Sequence, residues 1–161
     1  MTVESIEVRQ RAPQPVVSVR ATVPVAELTG AQGESLLALW DHLRRHDVRP
    51  AGPPFVRYHT FTETETDLET GIPVADAAVG EGRVAAGELP GGSAAVTWHI
   101  GPHDSLAKAY GRLETWLGED DREPDGAAWE VYHWIDPTER PDPATWPDPS
   151  AWRTELVQPL K

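Results

Sequence analysis

This chain of 161 residues contains no cysteine. Disulfide cross-links and thiolate catalysis are therefore excluded. Long apolar runs are missing as well, and no stretch approaches the ~18 residues that a membrane span needs. The first residues, Met1-Thr2-Val3-Glu4-Ser5, carry no basic patch followed by an apolar run, so no signal peptide is visible. The expected location is the cytoplasm, without membrane attachment. Positive charge is scarce, with 14 Lys and Arg against 26 Asp and Glu and a net charge of −12. A phosphate-backbone partner needs clustered Lys and Arg, so direct nucleic-acid binding is not expected. Catalytic signatures are equally thin. His42, His46, His59, His99, His103 and His133 form no HExxH or Cys/His pattern, and no metal site is expected. No serine lies in a GxSxG elbow, and neither GxGxxG nor a Walker loop occurs, so no cofactor is expected.

What is present suits one domain with a substantial core: 39% hydrophobic residues and seven Trp. Sixteen Pro and thirteen Gly fall mostly between periodic segments. Residues 16–23 read as a β-branched strand, and 33–46 as a helix with Leu36, Leu37, Trp40 and Leu43 in its apolar stripe. Strands follow over 55–60, 66–74 and 83–88. The pattern then restarts with a strand over 93–100 and a helix over about 104–117, striped by Leu106, Tyr110, Leu113 and Leu117. A strand over 129–134, a Pro-rich loop and a closing segment over 152–157 complete it.

At one constant offset, Leu36, Trp40 and Leu43 fall over Leu106, Tyr110 and Leu113. Phe55-Val56-Arg57-Tyr58-His59 falls over Trp129-Glu130-Val131-Tyr132-His133, and Glu69 over Glu155. The expected fold is α+β: two tandem βαββ repeats, over about 15–76 and 82–160 of a single domain. They are related by a pseudo-two-fold, with helices on one face of an antiparallel sheet and a ligand groove between the repeats.

Alternation along a strand puts Glu130, Tyr132 and Trp134 on one face and Trp129, Val131 and His133 on the other. Taking Trp129, Val131 and Phe55 as the residues packed against the helices leaves Val56, Tyr58, Glu130 and Tyr132 on the face away from them. Aromatic faces with a partly desolvated carboxylate suit planar, lipophilic or cationic molecules. Glu155 offers a second carboxylate or a surface ion pair with Arg153. Trp98 serves core and pocket equally well, Tyr110 packs in a helix stripe with a hydroxyl that needs a partner, and Trp146 is a lid or a surface clasp.

Several segments resemble a known family. Asp67-Leu68-Glu69-Thr70-Gly71-Ile72-Pro73-Val74 is similar to its D-x-E-x-G-x-P-V strand. His99-Ile100-Gly101-Pro102-His103, with Leu106, Tyr110, Leu113, Trp116 and Leu117, resembles the start of its second helix. Trp129-Glu130-Val131-Tyr132, Asp136-Pro137, Arg153-Thr154-Glu155-Leu156 and Pro159-Leu160 are similar to its ending. From about Val16 to Leu160 the chain resembles the GyrI-like small-molecule-binding domains, relatives of the effector-binding domains of AraC-type and MerR-type multidrug regulators. The resemblance implies a tandem βαββ fold that binds lipophilic, often cationic compounds through aromatics and a central glutamate, matched by Glu130. His103 stands where the family usually has Tyr. No helix-turn-helix precedes the repeats, so a complete transcription regulator is not expected.

The function expected is a stand-alone binding protein for bulky lipophilic, cationic or planar organic molecules, with Val56, Tyr58, Trp98, Tyr110, Glu130, Tyr132, Trp134 and Glu155 around the ligand. The alternative is a hydrolase opening the cyclopropane of DNA-alkylating natural products, in which Glu130 or Glu155 activates water and Tyr132 or Tyr110 binds the oxyanion. A second alternative, by analogy with the family's namesake, is a gyrase-binding inhibitor.

Overall fold

The computed structural model describes residues 5–161; the absence of a signal peptide was read largely on residues that lie outside these. Strands β1 (Glu7–Arg11) and β2 (Gln14–Pro24) lead into helix α1 (Leu28–Arg45), then β3 (Phe55–Phe61), β4 (Glu65–Pro73) and β5 (Ala85–Leu89). Strand β6 (Gly92–Ile100), helix α2 (Ala107–Glu119), β7 (Trp129–Tyr132) and β8 (Arg153–Pro159) follow. All eight strands join one antiparallel sheet in the order β1-β6-β8-β7-β3-β4-β2-β5. From the central β7–β3 pair outward, one side runs β8, β6, β1 and the other β4, β2, β5.

Both helices cover the same face. Leu39 and Leu43 of α1 pack on Val17, Val19 and Ile72, and Leu106, Ala109 and Leu113 pack on Ala95 and Leu156. The opposite face is buried too. Val16 and Leu89 from one end of the sheet meet Ala94 and Val96 from the other, around Phe55, Trp129, Val131 and Val157. Residues so far apart in strand order touch only because the sheet curls upon itself, the direction in which strand twist accumulates.

That second core corrects one expectation. Trp129, Val131 and Phe55 are core residues, but they fill the interior of the curl rather than the helix-facing side. Val56, Tyr58, Glu130 and Tyr132 therefore face the helices, the reverse of the sequence reading. Period-two alternation separates two faces without naming which one a helix covers, and here both are apolar.

Boundaries differ for identifiable reasons. Helix α1 begins at Leu28 rather than Gly33, carrying Gly30 and Gly33 inside it. Each glycine costs about 1 kcal/mol against Ala in a helix interior, so the sequence under-calls this turn. Strand β1, EVRQR, is a polar sheet edge without alternation, and nothing apolar marks it in advance. Strand β7 stops at Tyr132, where Ile135 N–H donates to the Tyr132 carbonyl and turns the chain out of the sheet. At Gly71 an added Cβ would lie 2.4 Å from the Phe55 ring, so β4 holds glycine where that ring crosses it.

Candidate ligand groove

A groove of about 660 Å³ opens between the two helices on the helix-facing side of the sheet. Leu28, Thr29 and Gln32 of the first turns of α1 form one bank, and Leu106, Tyr110 and Glu114 the other. Tyr58 and Phe61 of β3 lie at one end, His103 at the other side, and Glu130 of β7 in the floor. A larger concavity, about 1000 Å³, lies at residues 46–49 and 75–79. It has no aromatic side chain apart from His46 and no buried charge, so the groove is the better candidate on chemistry.

Glu130 is only 3% exposed. The Tyr110 hydroxyl donates to one carboxylate oxygen at 2.5 Å, and the Tyr132 hydroxyl donates to the other at 2.8 Å. Burial raises the Glu130 pKa, and the two tyrosine hydrogen bonds oppose that rise without cancelling it. Burial, then the neighbouring carboxylate, pushes the Tyr58, Tyr110 and Tyr132 hydroxyls upward. All three stay protonated donors at neutral pH. Gln32 Nε2 donates to the Tyr58 hydroxyl at 3.0 Å, tying α1 to β3 across the groove. The arrangement is a buried acid with both oxygens occupied by phenols, open to the groove on its remaining side.

Beside the groove lies an inner chamber of about 290 Å³ that shares Thr29, Gln32 and His103 with it. Leu36, Val56, Ile135 and Trp134 line it, with Trp146 and Trp152 from the Pro-rich loop. Trp134 and Trp152 stack in parallel, 4.6 Å apart. His103 lies 4.9 Å from the Tyr132 ring and 5.2 Å from Trp152. Burial, then the nearby His99, lowers its pKa to about 4, so it is a neutral aromatic wall at pH 7.

Of the residues expected around the ligand, Tyr58, Tyr110 and Glu130 line the groove, Val56 and Trp134 line the chamber, and Tyr132 bonds the carboxylate and lines the chamber. Trp98 and Glu155 do not join them. They are paired across β6 and β8 on the face away from the helices. Trp98 packs between His133 at 4.8 Å and the Arg153 guanidinium at 4.6 Å. Glu155 accepts a hydrogen bond from His133 at 3.0 Å and faces Arg11 at 3.8 Å. Burial opposes its ionisation, but His133 and Arg11 outweigh that and hold its carboxyl below the usual range. Glu155 is thus a structural ion-pair member and not a second groove carboxylate. Sequence reasoning missed Leu28, Gln32 and Phe61, which carry no signal before the helix start and strand end are known. It also missed Trp152, whose only sign was a second Trp among the prolines. Among the described residues no group of three or more His, Asp or Glu is arranged to hold a metal ion. No helix among them is long and apolar enough to cross a membrane.

The family model of the GyrI-like small-molecule-binding domain matches residues 4–161. This chain belongs to that family. Among curated proteins no sequence relative matches. The crystal structure of the EcmrR C-terminal domain is similar to this GyrI-like domain at TM-score 0.78 and 22% identity, over 99% of each chain. In the EcmrR–DNA complex, the domain spans 59% of that chain, again at TM-score 0.78 and 22% identity. SAV2435 bound to tetraphenylphosphonium is similar at TM-score 0.61 and 11% identity, over 98% of this chain and 94% of that one. A hydrolase from Listeria innocua is similar at TM-score 0.65 and 13% identity, over 98% and 92%. At these identities the likeness is one of fold.

Proposed function

We propose that this GyrI-like domain captures bulky, lipophilic organic cations in the groove between α1 and α2, acting in the cytoplasm. The observation that carries the reading is Glu130: a 3%-exposed acid whose two oxygens are held by Tyr110 and Tyr132 at the floor of an aromatic-lined cleft. A cation entering that cleft meets a carboxylate whose attraction is screened little by water, worth about 4 kcal/mol at 4 Å against about 1 in bulk solvent. Leu28, Leu106, Tyr58 and Phe61 supply apolar area around it. Aromatic rings add cation–π attraction without demanding one shape. The bound tetraphenylphosphonium of SAV2435, a neighbour in fold, is a molecule of this chemistry.

The test is equilibrium titration with tetraphenylphosphonium by calorimetry and with rhodamine 6G by fluorescence anisotropy, on the wild type and on Glu130→Gln. Binding that weakens about 30-fold in the variant, equivalent to about 2 kcal/mol, supports the reading. Saturable binding of neither cation refutes it.

A second reading, hydrolysis of a strained electrophilic ring, is favoured by the raised Glu130 pKa beside two phenol donors, a pairing suited to proton transfer. Mass spectrometry of a cyclopropane-bearing alkylator after incubation decides it. Multiple turnovers lost in Glu130→Gln support an enzyme, and an intact compound leaves a binder.

A further inference from the structure

The inner chamber contains something the groove reading does not use. Thr70 lies in its wall, 1% exposed, and its hydroxyl has no hydrogen-bond partner. The Trp134 indole N–H, on another wall residue, is likewise buried without a partner. A buried polar group left unpaired is destabilising, and two around one small chamber call for an explanation. Leu36, Val56, Ile135 and the Trp134–Trp152 stack give the chamber apolar walls, and Thr29, Gln32 and His103 on the groove side give it polar ones.

The sheet register fixes where this hydroxyl stands relative to the carboxylate. Thr70 is paired with Val56 across β4 and β3, and Val56 with Glu130 across β3 and β7. The three form one row on the helix-facing side, two strand spacings long, or about 10 Å from backbone to backbone. Val56 separates the two polar groups with an apolar floor. The shared wall of Thr29, Gln32 and His103 makes groove and chamber neighbours over the same row.

We propose that the chamber is a second ligand compartment, taking a planar aromatic group that carries a hydrogen-bond acceptor such as a ketone oxygen, while the cationic end of the same molecule sits at Glu130. This rests on the groove reading for the cationic end and adds to it a substrate class: elongated aryl-ketone or ring-carbonyl cations. The Thr70 hydroxyl donates to the acceptor, and Trp134 and Trp152 bound the ring. Globular cations without an acceptor use the groove alone.

Three probes separate the compartments. (4-Benzoylbenzyl)trimethylammonium has both a cation and a diaryl ketone, (4-benzylbenzyl)trimethylammonium replaces the ketone by methylene, and benzophenone lacks the charge. Binding is read by calorimetry and by quenching of tryptophan emission. The ketone cation is expected to bind the wild type about fivefold more tightly than its methylene analogue, the worth of one hydrogen bond. That difference vanishes in Thr70→Val, a substitution of matched shape, whereas Glu130→Gln weakens both cations by the same factor. Benzophenone is expected to quench the wild type and to bind less tightly to Thr70→Val. Equal affinities for the ketone and methylene cations in the wild type overturn the chamber proposal, and tetraphenylphosphonium binding then still upholds the groove. Benzophenone binding that depends on Thr70, with no cation bound, upholds the chamber while the groove reading fails. The comparison of the two cations needs only the wild-type protein, so it stands even if Thr70→Val folds poorly.

Discussion

Glu130→Gln is expected to stabilise the empty domain at neutral pH while loosening its hold on cations. The carboxyl is 3% exposed and keeps two phenol hydrogen bonds, yet its pKa is raised because burial exceeds what those bonds return. In the unfolded chain a glutamate titrates near 4.3. A folded-state value above that means ionisation favours unfolding. The stability is therefore full below about pH 4.3 and is lost as pH rises through the folded value. Each tenfold displacement of the acid constant corresponds to about 1.4 kcal/mol. In a domain of this size about 1 kcal/mol moves Tm by 2–4 °C, so each tenfold is worth roughly 3–5 °C. Glutamine is never ionised, and its amide still accepts from one tyrosine hydroxyl and donates to the other oxygen. The assay is thermal unfolding followed by circular dichroism at pH 7.5 and pH 4.0. Tm is expected to rise at pH 7.5 and to match the wild type at pH 4.0. A fall at pH 7.5, or the same gain at both pH values, refutes the reasoning that desolvation dominates at this residue.

Tyr110→Phe removes the 2.5 Å bond to Glu130 and leaves its carboxylate less supported; tetraphenylphosphonium affinity by calorimetry is expected to fall about tenfold. Trp98→Phe and Glu155→Gln lie on the far face, so the same titration is expected to change less than twofold. Glu155 is held below the usual carboxylate range, so its contribution is present above about pH 4.3 and lost as pH falls through the folded value. Glu155→Gln should accordingly lower Tm at pH 7.5 and converge on the wild type near pH 3. Gly71→Ala places a methyl 2.4 Å from the Phe55 ring and 2.9 Å from the Val17 carbonyl oxygen. Urea denaturation is expected to show a loss of about 2–3 kcal/mol, as for other overpacked cores.

The α+β class, both helices and the shared face of Glu130 and Tyr132 were legible because each rests on local pattern. The first helical stripe was read on Leu36, Leu37, Trp40 and Leu43; Leu36 and Leu43 are buried, whereas Leu37 is exposed and Leu39 is buried in its stead. Alternation puts Glu130 and Tyr132 on one side whatever that side faces. Tyr110 was read as a stripe residue with a hydroxyl in need of a partner, and Glu130 is that partner. What alternation does not carry is the identity of the covered face. A curled sheet buries both, so Trp129 and Phe55 look helix-facing when they are not. Trp98 and Glu155 followed from that same ambiguity: aromatic and acid are the right types, on the wrong side. Thr70 was quoted only as part of a family motif, because an unpaired hydroxyl is a property of packing and leaves no trace in residue spacing.

The two materials that enclose the ligand space differ in how freely they can be rebuilt. Glu130, Val56 and Thr70 belong to three hydrogen-bonded neighbouring strands, where a change of register would turn every side chain over. Trp146 and Trp152 belong instead to the segment between β7 and β8, built from short 3₁₀ turns started by Pro143 and Pro149 and capped by Asp142 and Asp148. Each of those turns closes on its own bonds, so the segment can be lengthened, shortened or recoded without disturbing the ladder beneath it. On the proposed reading, charge preference is thereby anchored in the scaffold, and the cover over the chamber is the part open to change. An engineer wishing to retarget this domain would leave the floor alone and vary residues 136–151.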